Sequence, residues 1–348
     1  MQFDESEKPF FREPSDEIGG GGGSGSVNVN NWVTEWSNNG NGKISGWVIN
    51  SNDVIFNYGY NFHYVNPNGW YANYLWYFGG WILQYNNGGN YYIGGWHIGS
   101  EDKYQTISGL IFVANHITKW AAVISQRYYA GYQQFITIWN NGGNRTVNGW
   151  QIGCEDVYLT FKDNYYVLCV NPKTGWSALL NFDINNNNFY TLWNNNGNGT
   201  LGGWRLNLDD KLLSGKFIGN SNNPQILITN ARTGWAAILE FNGGSWITLW
   251  SNGGNMYIGG WHLGAEDKIV ANDFNSDGKD EILIANAVTG YASILNFNET
   301  PNFIWSNNGN MYIGGWHLGI EDKFIPIPYG YILCINYRTG YAAILKFQ

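Results

Sequence analysis

The residues best suited to chemistry in this chain belong to a constellation that repeats. A Trp or Tyr is followed eleven positions later by Trp, and Asp follows six positions after that. The aromatic pairs are Trp36/Trp47, Tyr85/Trp96, Trp139/Trp150, Trp193/Trp204, Trp250/Trp261 and Trp305/Trp316. The aspartates are Asp53, Asp102, Asp156, Asp210, Asp267 and Asp322.

Two carboxylates can cleave a glycoside when they flank one bond, but no copy carries an acid pair that sets it apart. Repetition favours several binding sites over one catalytic centre, so we expect a protein that is not an enzyme. The aspartates are expected chiefly to tie down turns through backbone N–H groups.

The second Trp of each copy has two interpretations, core packing or direct contact with a ligand. The residue after it varies among the copies: Val48, His97, Gln151, Arg205, His262 and His317. Such variation is typical of a surface position, where a His can donate to a ligand hydroxyl. A metal role is not expected for these histidines, because no second ligand lies at close spacing.

A third set of aromatic residues opens a short strand later in each copy. Its members are Trp70, Trp120, Trp176, Trp235, Tyr291 and Tyr341. Aromatic faces beside Asn, His and Asp suit sugars, whose C–H patches pack on rings and whose hydroxyls need planar donors and acceptors. Packing between neighbouring elements is the alternative role. The candidate carbohydrate-binding residues are Trp96, His97, Trp120, Trp150, Trp176, Trp204, Trp235, Trp261, His262, Tyr291, Trp316, His317 and Tyr341.

One segment is similar to a calcium-binding loop. Asp273, Asn275, Asp277 and Glu281 place oxygen atoms around the turn at Gly278, and Ca²⁺ prefers several such hard oxygen ligands. Other copies have lost these acids. We therefore expect at most one structural Ca²⁺ and no required cofactor, with an unoccupied polar turn as the alternative.

The spacing of these residues predicts the elements that position them. The fullest copy, residues 246–297, contains four strand-like segments, WITLW, KIVAN, EILIAN and YASILNF. Gly, Asn and Asp clusters separate them. The repeat length fits one four-stranded antiparallel blade per copy, which predicts an all-β propeller of six blades. The last copy contains only three of the four strands of a blade, and the segment before the first copy matches the fourth. We therefore expect Trp32–Trp36 to pair with Tyr341–Phe347 and close the ring.

Composition excludes several classes of protein. The 348 residues include 19 Trp, 24 Tyr, 18 Phe and 47 Gly, which is incompatible with an all-α fold. A net charge of −8 with only 18 Lys and Arg argues against nucleic acid as a partner. The apolar stretches are too short for membrane insertion. Cys154, Cys169 and Cys334 lack paired spacing and are expected to be buried free thiols.

Two regions are predicted along the chain. Residues 1–26 carry six acidic and two basic residues and a Gly/Ser run, which indicates a flexible tail. This tail has no ordinary secretory signal, so we expect cytoplasmic synthesis, with release or action at a host surface as an alternative. The tail is also a candidate docking peptide for a protein partner. Residues 27–348 form the predicted propeller.

Several of these motifs together resemble a known family. GGWHLGAEDK, DFNSDGKDEILIAN, TGYASILNF and LWSNGGN are similar to the repeat of the bacterial lectin propellers first known from Photorhabdus, which are related to FG-GAP and VCBS repeats. The resemblance implies a multivalent lectin that binds glycans or glycoconjugates, such as fucose-type or O-methylated sugars, in clefts between blades. Family members have seven blades, which makes seven the alternative count here. A non-catalytic structural or adhesive protein, recruited through the acidic tail, is the alternative function.

Overall fold

The computed structural model describes residues 32–348 except 130, 131, 163 and 299, and gives only the backbone of 128, 129 and 132. This part of the chain is built of short strands, because β-branched and aromatic residues alternate between Gly and Asn clusters. Within it, no helix is long and apolar enough to cross a membrane. The predicted tail at residues 1–26 lies outside the described residues.

The strands follow one another in a repeating order, in which a two-stranded hairpin precedes each group of longer strands. The first are β1 (Trp32–Ser37), β2 (Lys43–Ile44), β3 (Trp47–Val48), β4 (Val54–Tyr58), β5 (Asn61–Asn66), β6 (Trp70–Tyr77), β7 (Gly80–Asn86), β8 (Tyr92–Ile93), β9 (Trp96–His97), β10 (Asp102–Ile107), β11 (Leu110–Asn115), β12 (Ala121–Tyr129) and β13 (Tyr132–Asn140). Next come β14 (Thr146–Val147), β15 (Trp150–Gln151), β16 (Val157–Thr160), β17 (Tyr166–Asn171), β18 (Trp176–Asp183), β19 (Asn188–Asn194), β20 (Thr200–Leu201), β21 (Trp204–Arg205), β22 (Asp210–Gly215), β23 (Gln225–Asn230), β24 (Trp235–Phe241) and β25 (Trp246–Ser251). The last are β26 (Tyr257–Ile258), β27 (Trp261–His262), β28 (Lys268–Asn272), β29 (Glu281–Asn286), β30 (Tyr291–Asn296), β31 (Asn302–Ser306), β32 (Tyr312–Ile313), β33 (Trp316–His317), β34 (Asp322–Ile327), β35 (Tyr331–Asn336) and β36 (Tyr341–Phe347).

The longer strands form antiparallel four-stranded sheets that we call blades 1 to 6. They are β4–β7, β10–β13, β16–β19, β22–β25, β28–β31, and β34–β36 with β1. The first strands of neighbouring blades contact one another in turn around a ring, and β34 returns to contact β4. The predicted six-bladed β-propeller is therefore confirmed, and the described residues do not form a seventh blade.

The ring closes where the two ends of the propeller meet in blade 6. Strand β1 pairs antiparallel with β36, from Trp32 opposite Phe347 to Ser37 opposite Ala343. The Trp32 indole is buried and lies edge-on to Phe274 at 5.5 Å between ring centroids. The pairing predicted from the complementary ends is confirmed, and it leaves no blade with a missing strand.

The hairpins between blades were not predicted. The sequence indicated only an Asn/Gly loop there, whereas Tyr257–Ile258 pairs with Trp261–His262 and the other copies do the same. Ile258 is fully buried, and Gly259 and Gly260 turn the chain at φ values of 54° and 95°. These angles favour glycine, which explains how so tight a hairpin forms.

The hydrophobic core is divided among the interfaces between neighbouring blades. Six clusters of buried side chains occur in the described part of the chain, one for each pair of neighbours. Strand β29 is buried along its whole length because both of its faces meet another blade or hairpin. Cys169 and Cys334 are buried free thiols as predicted, but Cys154 is exposed. The prediction was wrong for Cys154 because it lies in the turn before Asp156 and not in a strand.

A hydrogen-bonded group that we call the latch ties each hairpin to the blade that follows it. In blade 5, Asp267 accepts hydrogen bonds from the Trp261 indole at 2.8 Å, from the Gly264 backbone N–H at 2.8 Å, and from the Asn286 side chain at 2.8 Å. The Trp-to-Asp bond recurs at 2.7–2.9 Å in all six copies. The Asn-to-Asp bond recurs at 2.6–2.8 Å. The expectation that these aspartates tie down turns is confirmed.

Replacing one latch aspartate should destabilise the whole propeller. Asp267→Ala leaves three donors without their acceptor at a site where the carboxylate is 3% exposed, and we expect a loss on the order of 3–5 kcal/mol in the free energy of unfolding. The matched control is Asp209→Ala, which removes an exposed ion pair with Arg232 and should cost less than about 1 kcal/mol. Urea denaturation measures both variants, and equal losses would contradict the role assigned to the latch.

Candidate functional site

The aromatic residues that open the third strand of each blade are mostly exposed. Trp120, Trp176, Trp235 and Tyr291 expose 43–50% of their surface, and Tyr341 is half-buried. Trp70, at the same position of blade 1, is 49% exposed although it was not among the candidates. Since each ring lies where the second strand turns into the third, the rotational arrangement of the blades places all of them at one face of the propeller.

Each of these rings closely approaches a glycine of the loop that leaves the same blade. In blade 4, a Cβ added to Gly254 would lie 2.5 Å from the Trp235 ring, so only glycine permits this contact. The same close approach occurs in the other five copies, at Gly40, Gly89, Gly143, Gly197 and Gly309. Part of each ring is thus packed against backbone, and the rest of its surface is exposed.

An asparagine of the same loop fixes the position of each ring. The side-chain oxygen of Asn252 accepts hydrogen bonds from the Ala236 and Gly254 backbone N–H groups at 2.9 and 3.0 Å, and its side-chain NH2 group donates to the Gly234 backbone carbonyl at 2.8 Å. Gly234 and Ala236 are the residues immediately before and after Trp235. Equivalent bonds are made by Asn38, Asn87, Asn141, Asn195 and Asn307. The exposed ring is therefore held by a rigid backbone frame.

The second Trp of most copies has a different environment. Trp96, Trp150, Trp261 and Trp316 are only 3–7% exposed, and each donates its indole N–H to the latch aspartate. The packing interpretation describes these four side chains, which line the core and present little surface for stacking. Trp204 differs because it is only partly buried.

The three candidate histidines lie on the surface of the hairpins, as the variation at their position indicated. His97, His262 and His317 are exposed. Each ring meets the Tyr directly opposite in its hairpin edge-on, with centroids 5.0–5.2 Å apart. The tyrosines are Tyr92, Tyr257 and Tyr312. This contact orients the imidazole, and the His97 ring also stacks on Tyr91 at 5.9 Å between centroids.

A cavity of about 500 Å³ lies between the hairpin β20–β21 and the face of blade 4. Trp204 and Trp235 both line it, so the structure brings these two predicted residues together. The remaining lining residues are Gly203, Arg205, Leu206, Asn207, Asp210, Asn230, Thr233, Ala237, Leu239, Thr248 and Ser251. Thr233, Thr248 and Ser251 were not predicted as site residues, because nothing in their spacing distinguishes them from other Thr and Ser residues.

Asp210 is the acid in the wall of this cavity, and its oxygens are already in use. It accepts hydrogen bonds from Trp204, from the Asn207 backbone N–H and from Asn230, at 2.9, 2.8 and 2.7 Å. Burial raises the pKa of this carboxyl above its usual range, and the same hydrogen bonds oppose the rise. Asp210 therefore serves the latch, and Trp235, Thr233, Thr248 and Ser251 are among the other residues that line the cavity.

The candidate calcium loop is closed by its own hydrogen bonds. Asp273 accepts from the Asp277 and Gly278 N–H groups at 3.0 Å each, and Asp277 accepts from the Lys279 N–H at 2.8 Å. Glu281 is 1% exposed and accepts from the Phe274 N–H at 2.8 Å and from the Asn275 side chain at 2.9 Å. Groups of three or more His, Cys, Asp or Glu that could hold a metal are absent from the described residues. Calcium binding by Asp273, Asn275, Asp277 and Glu281 stays a prediction.

Blade 4 shows how this loop is stabilised by a neutral side chain. Gln225 begins the second strand of blade 4, as Glu281 begins that of blade 5. Its oxygen accepts from the Phe217 and Ile218 N–H groups at 2.8 and 3.0 Å, as Glu281 does from Phe274 and Asn275. An uncharged acceptor therefore suffices to close such a loop.

Comparisons with known proteins add little to this geometry. No family model matches the chain, and no curated protein matches it. Among solved structures, a crystal structure of a protein from Lactobacillus plantarum is similar at 8% identity and a TM-score of 0.42, over 71% of this chain and 68% of that chain. A likeness this distant carries no argument about function.

Replacing Glu281 should change how stability depends on pH. Burial raises the pKa of Glu281 to about 8. As pH rises from about 5 to about 9, the unfolded chain loses this proton first, so the wild-type free energy of unfolding falls. Glu281→Gln keeps an acceptor for the Phe274 and Asn275 backbone N–H groups and removes this loss with pH, so the stability of the variant relative to wild type should rise by about 2–4 kcal/mol across that range.

Urea unfolding at several pH values, with a chelator and again with millimolar Ca²⁺, measures this prediction. A wild-type stability that is independent of pH in the chelator would contradict it. If the loop binds calcium, Ca²⁺ should stabilise the wild type selectively at high pH, where Glu281 is ionised, and should leave Glu281→Gln little changed.

Proposed function

We propose that this propeller is a multivalent carbohydrate-binding protein, with sugar sites at the face where the exposed aromatic rings lie. The observation that carries the proposal is that an aromatic ring packed against a loop glycine recurs in every blade at the same place. This regular recurrence on one face distinguishes these rings from single exposed hydrophobic residues, which need no explanation. A pyranose ring offers C–H groups to such a surface and hydroxyls to its polar neighbours.

The cavity beside Trp235 supplies both kinds of contact. The indole is 45% exposed, and the hydroxyl-bearing residues Thr233, Thr248 and Ser251 line the same cavity. A volume of about 500 Å³ falls within the range of pockets that hold small ligands. A methyl group on a fucose-type or O-methylated sugar would add apolar surface against the ring, which supports the class of sugars that the family resemblance implies.

The hydrogen bonds of the repeated aspartates favour a protein that binds glycans over one that hydrolyses them. Each of the six latch aspartates accepts hydrogen bonds from an indole and from an asparagine amide. A carboxylate committed in this way holds the frame and is poorly placed to transfer a proton to a sugar. Equivalent sites around one ring would instead raise the avidity for a clustered glycan by roughly 10² to 10⁴.

A glycan array probed with the full chain tests the proposal, followed by calorimetry on the best sugar. We expect several sugars bound per chain. Trp235→Ala should remove one site from the measured stoichiometry, or weaken it about tenfold, because the stacking contact is lost. The matched control is Phe78→Ala, which removes a 90% exposed ring from the opposite edge of blade 1 and should change nothing. A silent array from folded protein would contradict the proposal and would direct attention to residues 1–26 as bait for a protein partner.

A further inference from the structure

The residue after the second Trp differs among the six hairpins, and in one hairpin it is an arginine, which is permanently charged. Arg205 occupies the place that His97, His262 and His317 take in other copies. It lies opposite Thr200 in its hairpin, so it lacks the tyrosine that contacts each of those histidines. The cleft between blades 3 and 4 therefore differs in charge from its relatives in the same chain.

Arg205 borders two adjoining cavities. One is the cavity of about 500 Å³ that Trp204 and Trp235 line. The other, of about 390 Å³, also contains Lys173, which lies in the turn between β17 and β18 of blade 3. Both cationic side chains are exposed. A ligand stacked on Trp235 can therefore extend past Arg205 toward a second positive charge.

These two cations are not neutralised by the acids around them. Asp209 is paired with Arg232 at 2.8 Å, and Asp210 is held by Trp204, Asn207 and Asn230. Within the described residues, neither Arg205 nor Lys173 has an ion pair with a carboxylate. The positive charge at this cleft is thus available to a ligand, although the chain as a whole carries a net charge of −8.

We propose that the cleft between blades 3 and 4 selects a sugar that bears a carboxylate, such as a hexuronic acid. The inference rests on the proposed carbohydrate function and adds the chemical class of ligand at one site. Trp235 stacks on the pyranose ring, the Arg205 guanidinium binds the carboxylate through two parallel N–H···O bonds, and Lys173 adds long-range attraction. The guanidinium fork matches the geometry of a carboxylate, which a neutral imidazole cannot do.

The test compares methyl glucuronide with methyl glucoside, which differ only at the carboxylate, by calorimetry on the full chain at low and high salt. We expect the glucuronide to bind about tenfold more tightly at low salt and to lose much of that advantage at high salt. Arg205→His should abolish the preference for the glucuronide over the glucoside. The chain already folds with His at this position in three hairpins, so the variant is structurally conservative. Lys173→Gln should weaken glucuronide binding by about threefold.

The matched control is Arg127→His, which makes the same chemical change at an exposed position of strand β12, seven residues beyond Trp120, and should leave both affinities unchanged. Equal affinity for the two sugars, a preference that survives in Arg205→His, or an equal loss in Arg127→His would each overturn the inference. Glucose 6-sulfate is a third probe, and binding as tight and as dependent on Arg205 as that of the glucuronide would overturn the assignment to carboxylates. Neutral glycans bound on the array without any response to glucuronide would refute only this inference, whereas a silent array would refute the proposed function itself.

Discussion

The latch between indole, aspartate and asparagine is the interaction on which the rest of the propeller depends. A hairpin of two-residue strands cannot be stable by itself, and each hairpin here is fixed because a buried carboxylate joins it to the start of the next blade. In blade 5 that carboxylate belongs to Asp267, which receives Trp261 from the hairpin and Asn286 from the second strand. The exposed rings inherit their positions from this frame, since the loops that hold them lead directly into the hairpins.

Much of this frame could be predicted from the sequence, because it depends on residue types at fixed spacings. The alternation of the strands recurs in each copy, and so does the sequence spacing that separates Trp261 from Asp267. The first and last strand-like segments match complementary parts of one blade. The hairpins escaped prediction because two residues are too few to show a period, and the burial of Ile258 becomes evident only in three dimensions. The exposure of Cys154 depends in the same way on where a turn begins.

The location of the cavity could not be predicted, since it depends on how several side chains pack together. Tyr104 and Tyr158 lie two residues after their latch aspartates and donate to them, and the indoles beside them are buried. Leu212 takes that place in blade 4, where Trp204 remains partly exposed. Ile269 in blade 5 is also small, yet Trp261 is buried. The size of this one residue therefore does not decide whether a cleft opens.

The propeller separates the groups that must stay the same in every copy from those that can differ. Latch residues are alike in all six copies because each forms the same hydrogen bonds to neighbouring backbone. The position after the second Trp points away from the core and carries valine, histidine, glutamine or arginine without any change in the frame. The exposed aromatic rings recur in every blade and form the constant part of this surface, whereas the hairpins form its variable part. The sugar binding proposed above would use the rings for what its ligands share and the hairpin side chains for what distinguishes them.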